Sequence, residues 1–411
     1  MPAETVPSRG LPQSGAAPAQ IRRQHGNGLD LVAVESPPVT ELHLTVTPMK
    51  GESINAMAKR LAEALNPWDA TVVRQIVFGS AAADPATLKT LRQALDDPEL
   101  PVAWVEGAGC ADNAIAGMQV HAIVGARVRT LSGNDHPLAR TWEDAVATHC
   151  VLNSIQPENR SCGDEGVAAT RNSDFRVQPA RTQATPPEQA REVFEKLQTG
   201  LASAGMTMKD IARTWFYLDD ILSWYGEFNR VRNDVFTRNE LRPHSLPAST
   251  GVGGRNPMGA ALAAATWAVR PHDQAAEVMH FAPSPEQCPA SSYGSAFSRA
   301  VEIRSAGFRR LLVSGTASIA PDGKTEHIGD ARAQIERSMQ VVATILESRR
   351  MSFADTAFAT AFFKSPADAP LFADWLARHG QQSMPVVSAG CDICRDNLLF
   401  EIELEAVQAG G

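Results

Sequence analysis

Apolar residues recur along the chain at two spacings. Three- and four-residue spacing predicts helices over 54–65, 86–95, 187–204, 223–238, 330–348 and 367–379. Short β-branched or alternating runs bounded by Gly and Pro predict strands over 42–47, 72–78, 102–105, 118–124, 212–218, 261–269, 357–363 and the terminal run from Leu398. A hairpin is expected over Leu311–Ile319, turning at Pro321-Asp-Gly. Pro187 and Glu188 behind Thr185 form a good helix start, since proline fits the first turn and an acid suits the positive end of the dipole. Residues 1–40 are rich in Pro, Ala, Gly, Ser and Gln with no apolar period, and read as a disordered tail.

The element order repeats. Each of three stretches, 41–148, 149–275 and 290–408, gives a strand or hairpin, a helix, a strand, further helix and a closing strand. That order suits an α+β unit with one mixed sheet and helices on one face, and three of them in one chain suit a pseudo-trimer with clefts between units. The closing strand of the last unit, Phe400-Glu-Ile-Glu-Leu-Glu-Ala-Val407, carries Glu401, Glu403 and Glu405 on one face by its period of two. The plain reading is an edge strand with a wet acidic face. Comparison within the chain argues otherwise. Pro101-Val and Cys110-Ala-Asp-Asn113 answer Pro385-Val and Cys394-Arg-Asp-Asn397, and carrying that match onward with a two-residue insertion sets Gln119 and His121 against Glu401 and Glu403. Residues 246–269 look like a third version, with alanines at those places. Only the last copy keeps its acids, so the first unit reads as degenerate and the last as the bearer of a site.

Composition narrows the possibilities. The 411 residues are 44% hydrophobic with a net charge of −8 and dispersed basic groups, which speaks for a globular body and against nucleic acid or an anionic membrane as partner. No apolar run has the length of a membrane span and no signal pattern opens the chain, so a cytoplasmic protein is expected, monomeric or a low-order homo-oligomer. Cys391-x-x-Cys394 has the spacing of half a metal site, but nothing completes four ligands, so no metal and no cofactor are expected.

Several motifs then match known families. The unit order and the acidic terminal strand resemble the YjgF/Rid family of small trimeric proteins, chorismate-mutase-like in fold, whose sites lie between subunits and include a glutamate at the position of Glu401. Ala212-Arg-Thr-Trp-Phe-Tyr217, Glu227-Phe-Asn-Arg-Val-Arg232, Pro247-Ala-Ser-Thr-Gly-Val-Gly253, Leu312-Val-Ser-Gly-Thr-Ala317 and Ile393 to Glu401 together resemble the chorismatases over about residues 185–407. That resemblance implies an enzyme of secondary metabolism that releases pyruvate from chorismate, giving a hydroxybenzoate or a dihydroxycyclohexadiene carboxylate. Two features depart from it: a basic and aromatic stretch is reduced to Phe362-Phe-Lys364, and Gly390 with Cys391 stands where members differ by product.

Hydrolysing an enol ether needs a proton on the methylene carbon, and a buried carboxylic acid can hold one at neutral pH. Glu401 is the candidate acid and Cys391 the candidate influence on product, while Glu403, about 7 Å along the strand, is expected to support rather than react. A dianionic substrate needs cations and walls. Arg213, Trp215 and Tyr217 share one strand face; Ser249, Thr250, Gly251 and Gly253 form a turn that can offer N–H and hydroxyl groups; Lys364 and Arg395 add charge. Core packing is the plain alternative for Trp215, a tight turn for 249–254, and a solvated face for Arg230, Arg232 and Arg255. Two further readings stay open. One is a Rid-type imine deaminase, against which Val386 stands where that family has an arginine; the other is a member that binds a small molecule without catalysis.

Overall fold

The computed structural model describes residues 19–79, 85–99, 102–109, 115–133, 136–157, 184–273 and 275–410. The first unit holds β1 (Gln20–Gly26), β2 (Leu29–Ser36), β3 (Val39–Val46), α1 (Ile54–Leu65), β4 (Thr71–Gly79), α2 (Pro85–Ala94), β5 (Val102–Glu106), β6 (Ala108–Gly109) and β7 (Ile115–Val124). The second holds β8 (Arg129–Gly133), β9 (His136–Glu143), β10 (Ala147–Ile155), α3 (Pro186–Ser203), β11 (Ile211–Leu218), α4 (Ile221–Arg238), β12 (Ala248–Gly253) and β13 (Leu262–Pro271). The third holds β14 (Met279–Ala282), β15 (Ala300–Ser305), β16 (Phe308–Ala317), α5 (Ala331–Glu347), β17 (Thr356–Phe363), α6 (Ala369–Arg378), β18 (Val386–Gly390) and β19 (Phe400–Ala409).

The three sheets have one topology: β1-β2-β3-β7-β4-β5, β8-β9-β10-β13-β11-β12, and β14-β15-β16-β19-β17-β18, the last extended by β6 of the first unit. Each closing strand runs antiparallel between the first-hairpin strand and the crossover strand, and each crossover strand pairs in parallel with the next. Helices cover one face of every sheet over separate cores. The opposite faces turn to one another and share a fourth core, to which Phe78, Tyr217 and Phe362 contribute one ring from each unit. This is the expected α+β pseudo-trimer.

A β-bulge fixes the equivalence of positions between units. In β4, β11 and β17 the register slips by one residue at Val73, Ala212 and Ala357. Counting from it, Arg74, Arg213 and Phe358 correspond, as do their partners His121, Trp267 and Glu405. Two residues on, Gln119, Ala265 and Glu403 correspond; then Gly117, Ala263 and Glu401. The alanines expected in the second unit are where the repeat put them. The first unit is offset from its expected match: Gln119 answers Glu403, His121 answers Glu405, and the position of Glu401 is held by Gly117. The match ran through Cys110–Asn113, which lies outside the described residues, and was carried onward with a two-residue insertion that the pairing does not need: Val102 to Gly117 and Val386 to Glu401 are equal lengths of chain.

Other expectations need correction. The chain is structured from Gln20, not from Leu42: Asn27 and Gly28, at φ 53° and 68°, close a two-residue hairpin that pairs β1 with β2, and only residues 1–18 of the expected tail fall outside the described residues. The second sheet begins at β8, twenty residues before the boundary read from the sequence, because β8 to β10 are built from mixed polar and apolar residues rather than an apolar run. Ser249 to Gly253 are a strand paired with β11, not a turn. The hairpin of the third unit turns at Ala306-Gly307, whereas Pro321-Asp-Gly closes one bridge, Ile319 to Thr325. The start of α3 is as expected, with Thr185 and Glu188 in a capping box.

Candidate functional site

Glu401 sits on β19 opposite Ala317 of β16 and Phe362 of β17, and its side chain points out of the helix-covered core toward the second unit. There β12 runs against β16, tied by Ser249 N–H donating to Ser314 Oγ at 2.9 Å and Gly315 N–H donating to Thr250 Oγ1 at 3.1 Å. A bulge at Ser314-Gly315 opens β16 at this point. Gly315 makes the room: a Cβ on it would lie 2.0 Å from Glu401 Oε1. In the first unit the equivalent junction is closed, since a Cβ on Gly117 would already meet Val387 at 2.7 Å.

The cavity in front of Glu401 has a volume of about 140 Å³. The α4 side chains Tyr225, Asn229 and Arg232 reach it at helical spacing of four and three, together with Ser249 and Gly251 of β12, and Cys394 and Arg395 of the loop before β19. The segment leading into β15 supplies Tyr293, Phe297 and Arg299. Cations and rings alternate along it. The Arg232 guanidinium lies 5.4 Å from the Phe228 ring and 5.7 Å from Phe297; Arg299 lies 5.5 Å from Phe297 and from Tyr293; Arg395 lies 5.1 Å from Tyr293. Stacking fixes three guanidinium planes without consuming their donors. Arg299 gives two donors to the Cys288 carbonyl and also meets the Tyr293 hydroxyl, Arg232 donates to Asn229 and also meets the Tyr225 hydroxyl, and Arg395 donates to the Gly323 carbonyl, so each five-donor guanidinium keeps donors for an anion.

Among the described residues no group hydrogen-bonds the Glu401 carboxyl, which is 5% exposed. Burial first and the neighbouring Glu403 charge second push its pKa up to about 8, against the pull of Arg213 and Arg299. It therefore carries a proton at neutral pH. Burial likewise pushes the Cys394 thiol up to about 12 and raises Tyr225, so both stay neutral.

The structure divides the residues singled out in the sequence. Glu401, Ser249, Gly251 and Arg395 line the cavity. Arg213 and Trp215 lie behind it and bind Glu403, Arg213 Nη2 at 2.5 Å from Oε2 and Trp215 Nε1 at 3.2 Å from Oε1. They wall a separate cavity of about 20 Å³ with Arg74, Gln119, Thr360 and Glu405. Tyr217 is buried in the shared core against Phe78. Thr250 faces Arg213, and Gly253 hands its N–H to the Asp392 carbonyl at 2.7 Å. Lys364 pairs with Asp396 at 2.5 Å outside the cavity, and Cys391 packs at the edge of the shared core, where Cys394 rather than Cys391 reaches the cavity. Tyr225, Asn229, Tyr293, Phe297 and Arg299 line the cavity without being singled out by the sequence pattern, and Arg232, expected on a solvated face, is 1% exposed. The spacing 225, 229, 232 was the available signal.

A second polar cluster lies on the pseudo-threefold axis. Glu41, His43 and His121 bring donor atoms within 4.8 Å of one another, but Arg310 already occupies the centre, 2.5 Å from Glu41 and 2.6 Å from Glu405. Glu41, Arg310 and His149 hold equivalent positions in the three sheets, so this cluster is the threefold contact itself.

Residues 176–256 match the family model described as Endoribonuclease L-PSP. Among solved structures, the chain is similar to a chorismatase determined at 1.08 Å, with a TM-score of 0.58 and 18% identity over 82% of this chain and 93% of that one. The YjgF gene product from E. coli and yeast Mmf1 each match over 98% of their length but about a third of this chain, at 18% and 21% identity and TM-scores of 0.26 and 0.27. The fold is the one that the sequence resemblance implied, YjgF-like units arranged three to a chain. No helix among the described residues is long and apolar enough to cross a membrane.

Proposed function

We propose that this protein releases pyruvate from chorismate or a close analogue, with Glu401 as general acid. The observation that carries the reading is the placement of one buried, protonated carboxyl opposite three stacked guanidinium groups in one cavity. Chorismate has that complement: two carboxylates and an acid-labile enol ether. Arg232, Arg299 and Arg395 would hold the carboxylates and fix the enol ether over Glu401, using planar donors that cost little ordering on binding. The Glu401 proton passes to the enolpyruvyl methylene and leaves an oxocarbenium ion, which the newly formed carboxylate stabilises in a water-poor site.

Two outcomes then balance. Water adds to the cation and the hemiketal collapses to pyruvate and a dihydroxycyclohexadiene carboxylate, or loss of pyruvate accompanies aromatisation to a hydroxybenzoate with no net uptake of water. Cys394, neutral and beside the cavity, and Cys391 behind it are the groups whose bulk and polarity would bias the choice. Incubating the protein with chorismate, with pyruvate followed through lactate dehydrogenase and products by mass spectrometry, tests the reading. Pyruvate release that is lost in Glu401→Gln is expected; no release between about pH 6 and 8, the range in which the acid is protonated, overturns it.

A further inference from the structure

Glu401 and Glu403 lie two residues apart on one face of β19, yet their surroundings are opposite. Glu401 faces the cavity without an ion-pair partner. Glu403 is bound on both oxygens, by Arg213 at 2.5 Å and Trp215 at 3.2 Å, two residues of β11 that cross the junction from the second unit. Arg213 is held on both terminal nitrogens: Nη1 donates to the Val313 carbonyl at 2.8 Å and Nη2 also to Thr250 Oγ1 at 2.7 Å. Thr250 Oγ1 in turn receives the N–H of Gly315, the residue whose missing side chain accommodates the Glu401 carboxyl. One chain of contacts thus runs Glu403, Arg213, Thr250, Gly315, Glu401. The repeat supports a joint role, because the units with Gly117 and Ala263 at the Glu401 position have Gln119 and Ala265 at the Glu403 position.

We propose that Glu403 is a positioning residue: bound by Arg213 and Trp215, it keeps the proton on Glu401, an inference that rests on Glu401 being the acid proposed above. The direction follows from charge. An anion on the same strand face disfavours a second one beside it, and Arg213 is turned to Glu403 rather than to Glu401, so the cation serves the wrong carboxyl for ionising the acid. The other groups facing Glu401 are Tyr293 and Arg299 from the segment before β15, Tyr225 and Arg232 from α4, and Cys394 and Arg395 from the loop before β19. Of the charges, Glu403 acts on the acid most strongly and in the raising sense, ahead of Arg213 and Arg299 in the lowering sense.

Difference infrared spectroscopy of the full chain in D₂O reads the protonated carboxyl directly, assigned by its loss in Glu401→Gln. Wild type is expected to titrate near 8. Glu403→Gln should lower the midpoint by about one unit or more, with the same displacement in the pH profile of kcat/KM. Glu403→Asp, which keeps the charge, should hold the midpoint above that of Glu403→Gln. The double variant Arg213→Met with Glu403→Gln leaves no unpaired buried charge to impair folding, and its midpoint should fall between wild type and Glu403→Gln. An unmoved midpoint in Glu403→Gln, or in the double variant should circular dichroism show the single one unfolded, overturns this inference and leaves the acid in place. Absence of any band removed by Glu401→Gln overturns the assignment of the acid itself.

Discussion

Arg213 and Glu403 close a 2.5 Å ion pair, both all but buried, between β11 of the second unit and β19 of the third. From the sequence alone Arg213 is expected to hold the substrate, so that its loss weakens binding. The pairing changes the expectation, because removing one partner of a buried pair leaves a stranded charge at a cost of about 3–5 kcal/mol. Arg213→Ala should lower the unfolding free energy read from urea titration by that amount, and KM in the surviving folded fraction should stay near wild type. A raised KM with unchanged stability would return Arg213 to the substrate.

Glu401→Gln should separate activity from stability. Loss of the transferable proton is expected to lower turnover by about 10²–10⁴ while an anionic substrate still binds. Stability moves the other way. The carboxyl titrates near 8 in the fold against an ordinary value of 4.5, so the native state holds an extra proton across that window. Wild-type stability therefore falls as pH rises from about 4.5 to 8, by up to about 1.4 kcal/mol per unit. Glutamine does not titrate, so the variant should match wild type near pH 4.5 and exceed it at pH 8 by on the order of 4 kcal/mol. Denaturant titrations of both proteins at the two pH values decide this.

Gly315→Ala tests whether space, rather than charge alone, sets the acid. The new methyl would fall 2.0 Å from Glu401 Oε1, so the carboxyl must move away from its present place. A displacement of about 1 Å at a reacting group costs on the order of 10²-fold in rate. Turnover is expected to drop by that factor with a cooperative melt retained; unchanged turnover would show that the carboxyl has freedom to reposition.

Much of this arrangement was written in local pattern. Period-two carboxylates on the last strand, helical stripes and the repeated closing strand all express spacing along the chain, and they gave the unit order and Glu401. What stayed hidden depends on pairing between distant segments. Arg213 looks like any cation on a strand until Glu403, 190 residues on, is opposite it. Arg299 and Tyr293 lie in a segment with no regular period, and only the fold sets them beside Arg395. The Asn27-Gly28 hairpin was legible, but the polar residues around it, Arg22, Arg23, Gln24 and His25, belong to an edge strand whose exposed composition resembles a tail.

The ladder of cations and rings yields the last prediction. Tyr293 lies between Arg299 and Arg395, at 5.5 and 5.1 Å, so its ring holds two cavity cations at once. Tyr293→Phe keeps both faces of the ring and should leave KM near wild type. Tyr293→Leu removes two stacking contacts worth about 0.5–1 kcal/mol each, and KM should rise by roughly 5- to 30-fold as both guanidiniums lose their alignment. Arg299→Lys keeps the charge but not the plane, the two bonds to the Cys288 carbonyl, or the donors left for an anion. A charged hydrogen bond is worth about 1.5–3 kcal/mol, so KM should rise by about 10- to 100-fold with a smaller change in kcat. Steady-state kinetics on the three variants separates these cases: if Tyr293→Leu and Arg299→Lys lowered kcat alone, the cations would act on the reacting centre and not on the substrate's carboxylates.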